Sequence, residues 1–291
     1  MRVFLTGATG YIGNHVATAL LGAGHQVVGL VRSVDAAATL TGQGGDCCFG
    51  SLENLPLLVQ QCEMADGVVH AAFRSGPEGP MIDGTAVAVM LAALSGSAKP
   101  FMYTSGIWSL GDTGGRVADE TTPLDPLPSV SWRTGVERLV LNAARQGVRA
   151  AVIRPAVAYG SHGGILGAMI RASMTVGAAG CVGEGLNRWQ FVHVEDLGDL
   201  YRRATESAPA GTVFYGAAYD AVPMAELAAA VGRASGCHGP IMHWSLEEAR
   251  LYVGDAAEAF LLDQRVSSAR AATVLGWNPT APPVLEYLQQ A

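Results

Sequence analysis

A glycine-rich run near the amino terminus constrains the fold of this chain more than any other feature. It reads Thr6-Gly7-Ala8-Thr9-Gly10-Tyr11-Ile12-Gly13, follows an apolar run at Arg2–Thr6 that predicts a β-strand, and precedes a predicted helix at Asn14–Gly22. In this context Gly7 permits a tight turn, Gly10 lets the backbone approach a pyrophosphate, and Gly13 lets the helix pack closely. Backbone N–H groups and the helix dipole attract anions there, so the run predicts a dinucleotide site formed by Gly7, Thr9, Gly10, Tyr11, Ile12 and Gly13.

The rest of the chain alternates strand patterns with helix patterns. That alternation is typical of an α/β fold in which a doubly wound parallel sheet of the Rossmann type carries helices on both faces. Strands are predicted at Gln26–Val31, Gly67–Ala72, Pro100–Ser105, Ala150–Arg154 and Thr212–Tyr215, and helices at Met81–Ser97 and Ser131–Arg145.

The composition changes after Gly160, where glycine and alanine dominate, and this change predicts a smaller C-terminal lobe. We expect residues 1–159 plus 188–216 to form an NADP-binding Rossmann domain, and residues 160–187 plus 217–291 to form a substrate-binding lobe. Open α/β sheets bind ligands at the carboxyl ends of their strands. The crevice is therefore expected between Ser105–Trp108, Ser129–Arg133 and Val157–Gly160.

The end of the second predicted strand indicates which dinucleotide fits. A site for NAD would place an acidic residue there for the ribose 2′-hydroxyl. This chain has Val31 at that point, followed by Arg32 and Ser33. An arginine can hold a 2′-phosphate with two N–H donors. Arg32 and Ser33 therefore favour NADP as the cofactor.

Charge and composition exclude several classes of partner. Among 291 residues, 18 Lys and Arg stand against 25 Asp and Glu, and the net charge of −7 argues against a nucleic-acid surface. No apolar run is long enough for a membrane span, and a strand that starts at the second residue leaves no signal peptide to expect. The five cysteines, an odd number, indicate reduced thiols and a cytoplasmic location. Cysteines and histidines lack the spacing of metal ligands, so no metal site is expected.

Further short motifs occur in a specific order along the chain. They are His70-Ala71-Ala72-Phe73, Tyr103-Thr104-Ser105-Gly106, Asp119-Glu120, Ile153-Arg154-Pro155 with Tyr159-Gly160, and Phe191-Val192-His193-Val194-Glu195-Asp196-Leu197. Together with the glycine-rich run, they resemble the extended and atypical branch of the short-chain dehydrogenase/reductase superfamily, whose members are similar to NAD-dependent epimerases and dehydratases.

The resemblance implies roles for several further residues. Ser51, Leu52, Ala71, Ala72 and Phe73 would line the cofactor channel, with Ser51 standing where the family often has an aspartate that contacts adenine. Pro155 and Val157 would lie at the nicotinamide end. The helices at Met81–Ser97 and Ser131–Arg145 occupy positions that often form the interface of a homodimer in this superfamily.

The chain departs from the superfamily at its catalytic set, which is usually a Ser or Thr and a Tyr-x-x-x-Lys pair. Lys99 is the only lysine, and Ser95 stands four residues before it, so no such pair exists. Aligning Glu137 with the family's helical glutamate puts Ser129 at the tyrosine position and Arg133 at the lysine position. Gly106 then falls at the serine position, with Ser105 one residue earlier. The chain resembles a subgroup in which arginine replaces lysine.

An arginine at this position can bind the ribose and stabilise an oxyanion, but it cannot donate a proton. We therefore predict an electrostatic role for Arg133, which would contact both cofactor and substrate, and a role for Ser105 beside it. The proton would come from Tyr159, from Tyr103 or from water. Substrate contacts are expected from Trp108, Ser129 and Arg188, and Trp132 and Trp189 are further aromatic candidates for the pocket.

These residues predict an NADP-dependent oxidoreductase that reduces a small carbonyl, enone or quinone-type metabolite. Three alternatives stay open at this point: an epimerase or dehydratase of the same extended fold, an enzyme with non-redox chemistry, and a cofactor-binding regulator. Stoichiometric consumption of NADPH during turnover would separate the first interpretation from the other three.

Overall fold

Twelve β-strands lie in three sheets of residues 1–290, the part of the chain that the computed structural model describes. Seven of them form one parallel sheet in the order β10-β6-β5-β4-β1-β2-β3. In chain order the strands are β1 (Arg2–Thr6), β2 (Gln26–Val31), β3 (Asp46–Phe49), β4 (Gly67–His70), β5 (Pro100–Thr104), β6 (Arg149–Pro155), β7 (Val157–Tyr159), β8 (Gly180–Val182), β9 (Arg188–His193), β10 (Thr212–Gly216), β11 (Ala218–Pro223) and β12 (Met242–Trp244).

Helices cover both faces of the large sheet, because the buried strands present apolar side chains to both sides. Phe4 of β1 belongs to one core and its neighbour Leu5 to the other. The helices are α1 (Tyr11–Gly22), α2 (Val34–Gly42), α3 (Leu55–Met64), α4 (Gly79–Ala93), α5 (Trp132–Asn142), α6 (Gly164–Val176), α7 (Val194–Ser207), α8 (Met224–Ala234), α9 (Leu246–Val253), α10 (Ala269–Leu275) and α11 (Val284–Gln290).

This arrangement confirms the predicted Rossmann-type fold class. The order of the strands reverses between β1 and β4, so the carboxyl ends of these two strands flank the point where such sheets bind ligands. The sequence analysis did not predict β3, whose four residues are half-buried or exposed at the edge of the sheet. Other elements differ from their predicted bounds: β4 already ends at His70, α4 runs from Gly79 to Ala93, α1 begins at Tyr11, and α5 ends at Asn142.

A second group of elements lies beside the carboxyl ends of the large sheet. Strands β7, β9 and β11 form a three-stranded sheet, and β8 pairs with β12. Helices α6, α8 and α11 pack on the three-stranded sheet around a separate apolar core. The division into residues 1–159 plus 188–216 and a second lobe stays a prediction.

Assembly and location stay predictions as well. The expected homodimer helices correspond to α4 and α5, which leave Met81 and Leu139 exposed. All five cysteines are free thiols. Among residues 1–290, no helix combines the length and the apolarity that crossing a bilayer requires.

A buried ion pair joins α5 to the large sheet. The guanidinium of Arg154 on β6 donates to both carboxylate oxygens of Glu137 on α5, at 2.5 to 3.2 Å. Arg154 also donates to the Tyr215 hydroxyl of β10 at 3.0 Å. Both charged side chains are almost inaccessible to solvent. Because Arg133 lies one helical turn before Glu137, this pair fixes the part of α5 that carries Arg133.

Replacing Glu137 by Gln should destabilise the protein strongly, because it leaves the Arg154 charge buried without a counter-charge. We expect a loss of about 3–5 kcal/mol in the free energy of unfolding, measured by urea denaturation. The matched control is Glu258→Gln, which breaks an exposed pair with Arg250 and should cost less than about 1 kcal/mol. Similar losses in both variants would contradict the role given to the buried pair.

Candidate functional site

A pocket of about 440 Å³ lies at the carboxyl ends of β1, β2 and β4. The glycine-rich turn forms its floor, and the segments after β2, β3 and β4 form its walls. Ten of the residues expected from the sequence to bind the cofactor line it: Gly7, Thr9, Gly10, Arg32, Ser33, Ser51, Leu52, Ala71, Ala72 and Phe73.

The floor of this pocket requires glycine. Gly7 has a φ of +73°, and a Cβ there would lie 2.7 Å from the Ala71 oxygen and from the Ala72 nitrogen. Gly13 does not line the pocket; a Cβ on it would collide with the Gly7 carbonyl, so it lets α1 approach the turn. Helix α1 starts directly after Gly10, which places its unpaired first-turn N–H groups at the pocket.

The rim beyond β2 carries a positive charge and lacks the acidic residue of an NAD site. Val31 ends the strand, and the exposed side chain of Arg32 follows it at the pocket. The Ser33 hydroxyl accepts a hydrogen bond from the Ala36 N–H at 3.2 Å and so caps helix α2. Among the described residues that line the pocket, Glu53 is the one with a carboxylate, and it pairs with Arg74 at 2.7 Å.

A second cleft of about 320 Å³ continues at the carboxyl ends of β5 and β6. It includes Tyr11, Ile12, Pro155 and Val157 of the expected cofactor residues, together with Ser105, Trp108 and Arg133. Gly10 lines the pocket and Tyr11 lines the cleft, so the two spaces follow one another along the glycine-rich turn.

Ser105 and Arg133 are two of the polar residues that line this cleft; the hydroxyls of two others, Tyr11 and Ser109, donate to the Gly160 and Gly106 carbonyl oxygens. The Ser105 hydroxyl is buried and has no hydrogen-bond partner. Arg133 donates from Nη1 to the Thr104 carbonyl oxygen at 3.3 Å. Its guanidinium carbon lies 4.4 Å from the ring centroid of Trp132 and 5.1 Å from that of Phe73, which are cation–π distances. No carboxylate, imidazole or lysine is among the lining residues described.

A buried chain of hydrogen bonds runs beneath both spaces. The Tyr103 hydroxyl lies 3.5 Å from Nη1 of Arg133 and donates to Oδ2 of Asp83 at 2.9 Å. Oδ1 of Asp83 lies 3.1 Å from Nε2 of His70, whose Nδ1 lies 2.8 Å from Oγ1 of Thr6. With the His70 proton on Nε2, the ring donates to Asp83 and accepts from Thr6.

This chain connects the two ends of the site. Thr6 precedes the glycine-rich turn and also accepts a hydrogen bond from the Ala72 N–H at 3.3 Å. Thr6, His70, Asp83 and Tyr103 are essentially excluded from solvent. Burial raises the pKa of Tyr103, and the Asp83 carboxylate raises it further. Tyr103 therefore keeps its proton and is a poor proton donor.

Three residues predicted to take part lie outside the cleft. Tyr159 is fully buried on β7, where its hydroxyl donates to the Pro282 carbonyl oxygen at 2.6 Å, so its predicted role as proton donor does not fit this placement. Ser129 is exposed on a turn of 3₁₀-helix, Pro128–Val130, before α5. Arg188 on β9 donates to the Ala221 carbonyl oxygen at 3.3 Å and lines neither space.

The sequence analysis missed the contribution of the segment after β7. The Tyr11 hydroxyl donates to the Gly160 carbonyl oxygen at 2.9 Å. A Cβ on Gly163 or Gly164 would collide with the Tyr11 ring, and Gly164 and Ile165 line the cleft. The Gly163-Gly164 pair was the available signal, but the tyrosine that it accommodates lies about 150 residues earlier in the sequence.

Comparison with known proteins supplies a family. A family model described as "NAD dependent epimerase/dehydratase family" matches residues 3–215. An uncharacterized protein of Schizosaccharomyces pombe is 32% identical over 286 residues, covering 96% of this chain and 95% of the relative.

Two other comparisons are more distant. A 4-hydroxy-2-methyl-3-oxo-4-farnesyl-3,4-dihydroquinoline-1-oxide ketoreductase of Stigmatella aurantiaca is 27% identical, covering 74% of this chain and 67% of the relative. The crystal structure of a dTDP-glucose 4,6-dehydratase from Streptomyces venezuelae superposes with a TM-score of 0.83 at 17% identity, covering 100% of this chain and 97% of that one. At that identity, the likeness concerns the fold alone.

Removing the Tyr103 hydroxyl should cost more stability than removing an equally buried hydroxyl with a neutral partner. In Tyr103→Phe the Asp83 carboxylate loses a donor, for which we expect a loss of about 1.5–3 kcal/mol in urea denaturation. In Tyr201→Phe the neutral Thr104 hydroxyl loses its donor at 2.7 Å, and the expected loss is about 0.5–1.5 kcal/mol. Equal losses would argue against the importance given to the hydrogen bond from Tyr103 to Asp83.

Proposed function

The chain belongs to the NAD dependent epimerase/dehydratase family, and on that premise we propose that it is an NADP-dependent oxidoreductase that reduces a small carbonyl, enone or quinone-type metabolite. One observation carries this proposal. Ser105, whose buried hydroxyl has no hydrogen-bond partner, and Arg133 line the same cleft, and the described lining of that cleft carries no acidic or imidazole side chain. Such a cleft suits the binding and polarisation of an oxygen atom more than the removal of a proton from carbon.

The pocket and the cleft together fit one dinucleotide. The turn at Gly7 has no room for a side chain, and the helix N-terminus beside it suits a pyrophosphate. Arg32 would hold the 2′-phosphate, and Val31 in place of an acid removes the group that would select NAD. The nicotinamide end would reach Pro155, Val157 and Arg133 in the cleft. When bound, NADPH supplies the hydride.

Ser105 and Arg133 would then act on the substrate oxygen. The Ser105 hydroxyl donates a hydrogen bond, and the guanidinium stabilises the negative charge that develops on the oxygen during reduction. A guanidinium is a poor proton donor, and burial together with the Asp83 carboxylate raises the pKa of Tyr103. The final proton therefore comes from water. Conjugated acceptors need the least stabilisation from the protein, because the negative charge that develops during reduction is delocalised over the conjugated system.

One relative supports a reductase. The ketoreductase of Stigmatella aurantiaca covers most of the chain and is named for carbonyl reduction. Epimerisation or dehydration on a bound nicotinamide cofactor needs a base that takes a proton from the substrate, and the described lining of the cleft supplies neither carboxylate nor imidazole. A regulator or a non-redox enzyme would bind NADPH without consuming it.

Replacing Arg32 by Ala should weaken NADPH binding and leave NADH binding nearly unchanged. A lost hydrogen bond to a charged group typically costs about 1.5–3 kcal/mol, so we expect the dissociation constant for NADPH to rise roughly tenfold or more. Isothermal titration calorimetry with both cofactors measures this, with Arg138→Ala on the exposed face of α5 as control. Equal affinity of the parent protein for NADH and NADPH would contradict the choice of cofactor.

Replacing Arg133 by Ala should lower kcat by about 10²–10³, the loss that follows removal of one oxyanion donor. Arg133→Lys should keep part of the activity, because the charge remains while the forked geometry is lost. Ser105→Ala should also lower kcat. Tyr159→Phe should turn over NADPH at the parental rate, because that hydroxyl faces Pro282. Loss of activity in Tyr159→Phe together with normal activity in Arg133→Ala would contradict the assignment of the catalytic role to Arg133 and not to Tyr159.

A further inference from the structure

A third cavity, of about 510 Å³, lies between α6, α9 and the strands β8 and β12. It is larger than the cleft that holds Ser105 and Arg133. Its walls include Trp108, Ile165, Met169, Met224, Met242 and Trp244.

The chemistry of these walls is almost entirely apolar. None of the described lining residues is charged at neutral pH, and two tryptophans and three methionines are among them. A diphosphate or a carboxylate placed there would lose its hydration without gaining a cation or a set of donors, at a large free-energy cost. Methionine side chains adapt to irregular apolar shapes, and tryptophan rings offer broad flat surfaces. The cavity therefore suits an uncharged apolar group.

The cavity and the cleft share two walls. Trp108 and Ile165 line both spaces. Trp108 and Ser105 both line the cleft, so an apolar group that contacts Trp108 in the cavity lies at the boundary with the cleft that contains Ser105. One molecule with an apolar body and a terminal carbonyl can occupy both spaces.

Helix α9 carries exposed apolar side chains at the cavity. Tyr252, which lines the cavity, is 79% exposed, and its neighbour in the sequence, Leu251, is 84% exposed. The Tyr252 ring stacks on Trp244 of β12, with ring centroids 6.1 Å apart. Clustered large apolar side chains at the mouth of an apolar cavity are typical of a ligand-binding groove. An apolar ligand would cover part of these side chains.

We propose that this cavity binds the uncharged apolar body of the substrate while the substrate carbonyl reaches Ser105 and Arg133. The proposal rests on the reductase function proposed above and narrows its substrates to carbonyl compounds with a bulky or long apolar group. It excludes nucleotide-linked sugars, whose diphosphate finds no partner in the cavity.

The test measures binding without turnover, on the protein saturated with NADP⁺. The fluorescent neutral compound N-phenyl-1-naphthylamine reports occupation of the cavity, and 2-alkanones from 2-butanone to 2-undecanone displace it. Each added CH₂ should lower the dissociation constant by about fourfold until the cavity is full. Met169→Glu should raise the dissociation constant for 2-undecanone at least tenfold, and Met169→Gln should raise it by less. The matched control, Met64→Glu at an exposed methionine of α3, should leave the dissociation constant for 2-undecanone unchanged.

Several outcomes would overturn the proposal: affinities that do not depend on chain length, unchanged binding in Met169→Glu, or displacement of the fluorophore by UDP-glucose at lower concentration than by 2-undecanone. The chain-length series uses the unmodified protein. It therefore tests whether the cavity binds an apolar chain even if Met169→Glu fails to fold. Length-dependent binding without NADPH consumption would overturn the reductase function alone. NADPH-dependent reduction of a small quinone with flat 2-alkanone affinities would overturn the cavity assignment alone.

Discussion

The position of one guanidinium group governs the site. Arg133 is held by the Thr104 carbonyl, by the Tyr103 hydroxyl and by the rings of Phe73 and Trp132. Phe73 also lines the cofactor pocket, so the charge lies where the pocket passes into the cleft. A fixed positive charge in a partly water-excluded space stabilises an oxyanion more than a mobile one, since no reorganisation is needed during the reaction.

The buried polar groups below the site explain why this arrangement is rigid. Asp83 accepts from Tyr103 on one side and from His70 on the other, and His70 reaches the start of the glycine-rich turn through Thr6. A buried carboxylate is tolerated because both of its oxygens have partners. The cofactor pocket and the cleft thus share one hydrogen-bond network. The ion pair between Arg154 and Glu137 fixes α5 one helical turn after Arg133.

Local patterns were sufficient to predict the fold class and the segments that line the cofactor pocket, because strand runs, glycine spacing and the residues after Val31 are encoded within short segments. The buried network was not predictable, since it joins Thr6, His70, Asp83 and Tyr103 across three strands and a helix. Tyr159 was misassigned for a similar reason: its partner at Pro282 is 123 residues away in the sequence. Strand β3 was missed because its four residues, Asp46–Phe49, are too few to show a strand pattern and none of them is fully buried.

The central claim is that the site transfers hydride from NADPH to an apolar carbonyl, enone or quinone without the usual tyrosine and lysine. Incubation with NADPH deuterated at nicotinamide C4, separately on each face, and with 2-undecanone and a series of apolar enones and quinones tests it directly by mass spectrometry of the products. The account predicts that one of the two labelled cofactors transfers deuterium, in equal amount to the NADPH consumed. Tight NADPH binding with no deuterium in any product would contradict it.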